Sequence, residues 1–192
     1  MAAHLIRRGF LALLAVGLLS ACMASPSPAP VEAPAPEASA EVSRLFLVRH
    51  GEKETGADPA LTAEGAARAQ VLAERLAGEG VTEVWSTATR RTQETARPLA
   101  QAQGLTIQTY DASALPTFAN QLAETPGVKL VVGHSNTTDA LAALLGADPG
   151  PPIDEAGEFD RLYVITVSDT YQVGSEIQRY GAPFSGGEDT TQ

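Results

Sequence analysis

The sequence predicts an α/β fold: a three-layer α/β/α sandwich with a mostly parallel central sheet and an antiparallel C-terminal edge. Leu45–Val48 and Val128–Val132 are continuous apolar runs, which are typical of strands that helices cover on both faces. Segments with helical periodicity separate most predicted strands, so we expect parallel pairing through right-handed crossovers. Leu162–Val167 and Tyr171–Gln178 are separated only by a short turn and predict a closing hairpin.

The first half of the domain predicts two helices on either side of a second strand. The first helix should begin after Thr62, a possible N-cap, and end before Gly78, because apolar residues recur between them at helical spacing. Val81–Trp85 follows as the strand. The second helix is predicted over Ala88–Gln103, and Pro98 should bend it or mark a new start.

The second half continues the same alternation of strands and helices. The predicted elements are a strand over Leu105–Tyr110, a helix over Leu115–Glu124, the strand Val128–Val132, a helix from Ser135 or Asn136 to Leu145, and the hairpin. A loop rich in proline and acidic residues, Ala147–Gly157, precedes the hairpin. This order places the ends of three parallel strands at one edge of the sheet.

Residues 1–21 predict a lipoprotein signal peptide. Two arginines precede the apolar run Phe10–Leu19, which is short for a membrane span. Leu19–Cys22 resembles the bacterial lipobox, which implies that Cys22 carries the lipid anchor; the alternative is a stray thiol near an ordinary cleavage site. The next residue is Met23. In bacterial lipoproteins, an aspartate at this position is associated with retention in the inner membrane. We therefore expect a protein of the bacterial cell envelope, anchored in the outer membrane and facing the periplasm.

Composition divides the rest of the chain into three parts. Residues 22–42 form a Pro/Ala-rich tether, residues 43–183 the folded domain, and residues 184–192 a disordered tail. The formal net charge is -10 and becomes -12 once Arg7 and Arg8 leave with the signal. This balance argues against nucleic acid as a partner, and it leaves the lipid on Cys22 as the only expected membrane contact.

Basic and imidazole side chains follow three predicted strands at the points where the strands end. Arg49 and His50 follow the first strand, and His134 follows the fourth. Arg90 and Arg91 lie in the first turn of the helix after the second strand. Because carboxyl ends of parallel strands meet at one edge, these groups can converge on a single anion. A fixed cation beside an imidazole suits a phosphoryl group.

These segments resemble the signature of a known family. Arg49–Glu52, Trp85–Thr87 with Arg91–Ala96, and Val132–Asn136 are similar in order and content to motifs of the histidine phosphatase superfamily (phosphoglycerate mutase-like, branch 1), especially its short phosphohistidine-phosphatase-like members. The resemblance implies that His50 is transiently phosphorylated, that Arg49 and Arg91 bind phosphate, and that His134 is the second catalytic histidine. Arg91 fits the family spacing better than Arg90.

The chemistry of these residues supports the same roles. A neutral imidazole can attack phosphorus and form a phosphoramidate. A hydrogen bond from its other nitrogen to a backbone carbonyl would fix the required tautomer. Two guanidiniums would bind the non-bridging oxygens, and His134 would donate to another oxygen. No metal or cofactor is then expected, and the three histidines of the chain do not suggest a dinuclear metal site.

The sequence leaves the general acid open. Asp111 directly follows the third predicted strand and is the first candidate, with Glu52 as competitor. Asp111 could equally be a turn-forming aspartate, and a short family member could work without an acid.

We therefore predict a metal-independent phosphatase acting on a phosphomonoester or phosphoramidate, with a small phosphorylated molecule or a phosphoprotein as substrate. A mutase is less favoured, because no extra elements would enclose a substrate. The alternative class is a non-catalytic anion-binding module on the same fold, which would not need a nucleophile.

Overall fold

A computed structural model describes residues 42–184 of the protein. The strands are β1 (Ser43–Arg49), β2 (Glu83–Ser86), β3 (Ile107–Thr109), β4 (Gly127–Gly133), β5 (Arg161–Val167) and β6 (Val173–Arg179). The helices are α1 (Ala63–Leu76), α2 (Arg90–Gln103), α3 (Leu115–Glu124) and α4 (Ser135–Leu144), and a single 3-10 turn, Ala112–Ala114, precedes α3. Each predicted element is present, with ends within about two residues of those expected.

The six strands form one sheet in the order β3-β2-β4-β1-β5-β6. The first four strands of the chain pair in parallel, whereas β5 runs antiparallel to both β1 and β6. The predicted α/β architecture with an antiparallel C-terminal edge is therefore confirmed. The sequence suggests that Pro98 bends the second helix or begins a new one. The second alternative is wrong, because α2 continues through Pro98 as one helix.

Strand β1 lies between two hydrophobic cores, as its continuous apolar sequence predicts. Leu45 and Leu47 face one core together with Tyr163 and residues of α3 and α4. Phe46 and Val48 face the other core, against α1 and α2. Because successive side chains of a strand point to opposite faces, only a strand covered on both sides needs an unbroken apolar run.

Some predicted segments lie outside the described residues. They are the signal peptide, Cys22, the tether up to residue 41 and the tail from residue 185. Phe184, the first residue of the predicted tail, is described, and its backbone N–H donates to Asp160 Oδ2 at 3.0 Å. Within residues 42–184, none of the helices has the length and apolar character needed to cross a membrane.

Two glycines let α1 pack closely on the turn after β1. A Cβ at Gly51 would lie 2.9 Å from the carbonyl oxygen of Gly65, and a Cβ at Gly65 would lie 2.1 Å from that of Glu52. The structure shows that close approach of two backbones is the requirement, since Gly51 does not have a positive φ.

We expect Gly65→Ala to destabilise the domain. In an open helix position this change would stabilise by about 0.5–1 kcal/mol, but the new methyl group meets backbone that cannot rotate away. Overpacking of this kind costs about 1–3 kcal/mol. Chemical denaturation should show the loss. Gly78→Ala is the matched control, because nothing lies within 4 Å of a Cβ there; equal stability of the two variants would contradict the packing argument.

Candidate active site

The candidate site is built by the backbone at the carboxyl ends of β1, β2 and β4. In the sheet register, Arg49 lies opposite Gly133, and Ser86 lies opposite Val132. The N–H of His50 donates to the carbonyl of Gly133 at 3.0 Å, which extends the β1–β4 pairing by one residue. Parallel pairing therefore brings the residues after three distant strands to one edge, as the sequence predicts.

His50 has a defined tautomer and is kept neutral. Its Nδ1 lies 2.7 Å from the carbonyl oxygen of Gly51, and because a carbonyl can only accept, Nδ1 carries the proton. The imidazole is 3% exposed. Burial lowers the pKa of His50 to about 3; the Gly51 hydrogen bond opposes this shift, and the charge of Arg49 adds to it. At neutral pH the Nε2 atom is therefore unprotonated, with its lone pair available.

His134 lies next to His50, with ring centroids 5.5 Å apart and the rings in an edge-to-face arrangement. Its Nδ1 is 3.2 Å from an NH2 nitrogen of Arg91, and its Nε2 is 3.0 Å from Thr87 Oγ1. Burial and then the positive charge of Arg91 lower the pKa of His134 to about 4. Two neutral imidazoles thus share the site with cationic side chains.

The structure brings Arg91, and not Arg90, to the histidines. Arg91 contacts His134, and its Nε is buried without a hydrogen-bond partner among residues 42–184. Arg90 has a side chain that is 59% exposed and pairs with Glu94 at 2.9 Å. An N–H that is buried without a partner costs free energy, so the Arg91 Nε indicates a place for an oxygen ligand.

Arg49 is buried at the site, but most of its donors are already used. Its two terminal nitrogens donate to the carbonyls of Asp154, Glu155 and Glu158 at 2.7–3.1 Å. Its guanidinium also stacks on Phe159, with 4.2 Å between the guanidinium carbon and the ring centroid. Only Nε is without a partner in the described part of the chain. Three of the five N–H groups of Arg49 are therefore used, which leaves the Nε–H and one N–H of the second terminal nitrogen for a phosphate oxygen.

The two candidate general acids are both held ionised. Glu52 forms an ion pair with Arg68 at 2.7 Å, and these hydrogen bonds outweigh burial, so that the pKa of Glu52 is lowered. The exposed Asp111 caps the 3-10 turn by accepting from the N–H and hydroxyl of Ser113 at 2.8 and 2.7 Å. These bonds lower the pKa of Asp111. The geometry therefore fits the turn-forming interpretation of Asp111 and gives no support to a proton-donating role for either residue.

Sequence reasoning missed two parts of the site. Thr87, which is buried, binds His134, and the Phe159 ring lies 6.1 Å from the ring of His50. A hydroxyl directly after the second strand was a usable signal for Thr87. No signal identified Phe159, because its loop has no periodicity and the carbonyl of the preceding residue, Glu158, is held by Arg49, 109 positions earlier.

The arrangement defines a class of site. A buried neutral imidazole, a second imidazole and two guanidiniums with free Nε groups suit a protein that binds a tetrahedral oxyanion and presents a nitrogen nucleophile to it. Among residues 42–184, the acidic, cysteine and histidine side chains form no group of three or more with the geometry to hold a metal ion.

A known family model matches the first half of the domain. The sequence model of the histidine phosphatase superfamily (branch 1) matches residues 45–113. This segment contains β1, α1, β2, α2 and β3, and thus His50 and both arginines of the site. The resemblance predicted from the sequence is confirmed.

A curated relative matches a segment of similar length. The protein named "probable phosphoglycerate mutase GpmB" from Yersinia enterocolitica is 38% identical over 74 residues, which is 34% of this chain and 34% of the relative. The match therefore spans about a third of the length of such relatives.

Solved structures match over a larger part of the chain. The mycobacterial glucosyl-3-phosphoglycerate phosphatase has a TM-score of 0.57 at 17% identity and covers 74% of this chain and 100% of its own. The protein histidine phosphatase SixA, solved with tungstate, has a TM-score of 0.58 at 18% identity, covering 71% and 96%. At these identities the comparison shows that the fold is shared.

We expect stability to decrease as pH falls from about 6.5 to 5, because unfolded histidines bind protons there with a pKa near 6.5. Folded His50 and His134 stay neutral in this range, since their pKa values are about 3 and about 4. The unfolded state thus binds more protons, and His50 alone adds a slope of up to about 1.4 kcal/mol per pH unit.

Denaturant unfolding across this pH range measures the slope. The matched control is the double variant His50→Gln/His134→Gln, which should show a flatter profile. An identical slope in wild type and double variant would mean that these imidazoles are not buried neutral.

Proposed function

We propose that the protein is a metal-independent phosphatase that hydrolyses a phosphomonoester or phosphoramidate through a phosphohistidine intermediate at His50. The observation that carries the proposal is the hydrogen bond from His50 Nδ1 to the carbonyl of Gly51. This bond leaves Nε2 as the unprotonated nitrogen, and burial keeps it so at neutral pH. Simple anion binding would be better served by a protonated imidazole.

The reaction divides into two transfers of one phosphoryl group. In the first, Nε2 of His50 forms a bond to phosphorus as the bond to the leaving oxygen or nitrogen breaks. In the second, water attacks the phosphoramidate, releases orthophosphate and restores the neutral imidazole. The free Nε groups of Arg49 and Arg91 would stabilise the charge on the non-bridging oxygens during both steps.

The ionised state of Glu52 and Asp111 limits which leaving groups can depart readily. Because Glu52 is paired with Arg68 and Asp111 is bonded to Ser113, neither offers a proton to the departing atom. The leaving group would then take its proton from solvent, which favours groups that leave easily. Aryl phosphates and phosphorylated imidazoles belong to this chemical class.

Two alternatives remain distinct from this proposal. A non-catalytic anion-binding module would use the same cations without forming a bond to His50. A mutase would return the phosphoryl group to its substrate, as the name of the Yersinia relative suggests for that protein. Between α2 and α4, the described chain contains β3, the 3-10 turn, α3 and β4, and no further element that could enclose a substrate. This favours the phosphatase over the mutase.

The wild type should hydrolyse a chromogenic aryl phosphate in the presence of EDTA, and His50→Ala should abolish the activity. Rapid acid-free quenching with a radiolabelled substrate should trap an alkali-stable, acid-labile phosphoenzyme. Activity lost in EDTA and restored by a divalent metal would refute metal independence. A wild type inactive on every phosphorylated compound would favour the binding module.

Arg90 and Arg91 provide a matched control for the same assay. Arg91→Lys should lower kcat/KM by roughly tenfold or more, because an ammonium cannot reproduce the planar donor geometry. Arg90→Lys changes a neighbouring, exposed arginine and should leave the rate unchanged. A panel of phosphorylated sugars, nucleotides, lipopolysaccharide phosphates and phosphohistidine peptides would then rank substrate classes.

We further propose that the enzyme acts in the bacterial cell envelope, anchored by lipid on Cys22. The proposal rests on the basic and apolar N-terminus and on Leu19–Cys22, and Met23 favours sorting to the outer membrane. Metabolic labelling with a radioactive fatty acid should label the wild type and not Cys22→Ala. Equal labelling and equal detergent partitioning of both proteins would refute the anchor.

A further inference from the structure

We propose that Thr87 is a positioning residue for His134. Its hydroxyl accepts a hydrogen bond from the Nε2–H of the imidazole, which leaves Nδ1, beside Arg91, as the nitrogen that faces the phosphoryl group. The inference rests on the proposed function, because it assigns a role to one more residue of the same site. Thr87 directly follows β2 and is 4% exposed.

The donors and acceptors around His134 allow only one neutral tautomer. A guanidinium has no acceptor, so the 3.2 Å contact between Arg91 and Nδ1 requires a lone pair on Nδ1. The single proton of the neutral ring is therefore on Nε2. Thr87 Oγ1 lies 3.0 Å from Nε2 and accepts a hydrogen bond from it. Both ring nitrogens are thus fixed by neighbouring parts of the chain, Thr87 directly after β2 and Arg91 in the first turn of α2.

A buried cluster of hydroxyls leaves the lone pairs of Thr87 available for this hydrogen bond. Thr92 Oγ1 has two backbone carbonyls to which it can donate, that of Thr89 at 2.9 Å and that of Thr87 at 3.1 Å. With either carbonyl as its own acceptor, Thr92 Oγ1 can accept from Thr87 Oγ1, 2.9 Å away. The Thr87 proton then points to Thr92, and its lone pairs face His134. Thr92 is fully buried, which protects the chain of bonds from competition with water.

This orientation has a consequence when an anion binds. The Nδ1 lone pair would repel a phosphoryl oxygen placed next to Arg91, so binding requires a proton on Nδ1. That proton comes from the monoanionic form of the ligand or from solvent, and Nε2 keeps its own proton through Thr87. His134 then becomes an imidazolium that donates from Nδ1 to the phosphoryl group, while His50 remains the neutral nucleophile.

Nitrogen NMR of the histidines tests the assignment directly. In the ligand-free wild type, His134 should show a protonated Nε2 and an unprotonated Nδ1. Titration with inorganic phosphate should shift Nδ1 and leave Nε2 protonated. Thr87→Val removes the acceptor at nearly constant size, so the Nε2–H loses its hydrogen bond; we expect the Nε2 shift to move and kcat/KM to fall by about tenfold. Thr87→Ser keeps the hydroxyl and should restore both properties.

Thr89→Val is the matched control. Its hydroxyl lies 2.9 Å from Thr92 Oγ1 and 3.4 Å from Thr87 Oγ1, but it makes no hydrogen bond to His134. This variant should keep the wild-type nitrogen shifts and pH profile. The same shifts and rates in Thr87→Val as in wild type would overturn the inference, and so would an Nδ1-protonated tautomer in the wild type, even if Thr87→Val failed to fold. A wild type with the expected tautomer and phosphate response but no hydrolase activity would refute the proposed function alone.

Discussion

The site depends on one constraint, the parallel register between β1 and β4. Their last paired residues, Arg49 and Gly133, lie directly opposite each other, so the chain positions that follow are His50 on one strand and His134 on the other. The hydrogen bond from the His50 N–H to the Gly133 carbonyl continues this pairing into the loop. A shift of one residue would turn one imidazole to the other face of the sheet. Backbone pairing in the core thus sets the distance between the two imidazoles.

The site is locally positive, whereas the whole chain carries a negative net charge. The protein carries a formal charge of -10, yet one edge of its sheet gathers two guanidiniums and two imidazoles, of which Arg49 and His50 are buried. The carboxylate of Glu52 is paired with Arg68, and that of Asp58 lies 4.0 Å from a terminal nitrogen of Arg91. Burial also keeps both imidazoles uncharged, which avoids repulsion among four basic groups. The site is therefore positive enough to attract an anion while keeping one nitrogen free to react.

The sequence predicts the fold well because its signals are local. Unbroken apolar runs such as Leu45–Val48 and helical periodicity after Thr62 depend on neighbours in the chain, and the strand order then follows from general connection rules. The convergence of His50, Arg91 and His134 follows for the same reason. Contacts between distant loops carry no such signal. The stacking of Phe159 on Arg49 and the pairing of Glu52 with Arg68 each required tertiary structure.

The way in which Arg49 holds the loop before β5 has a consequence for variation among related proteins. The guanidinium binds main-chain oxygens of Asp154, Glu155 and Glu158, which every amino acid possesses. At Glu155, whose side chain is exposed, a different residue would keep the main-chain hydrogen bond to Arg49. Substitutions at this position can therefore change the chemistry of the surface near the site while Arg49 and His50 keep their positions.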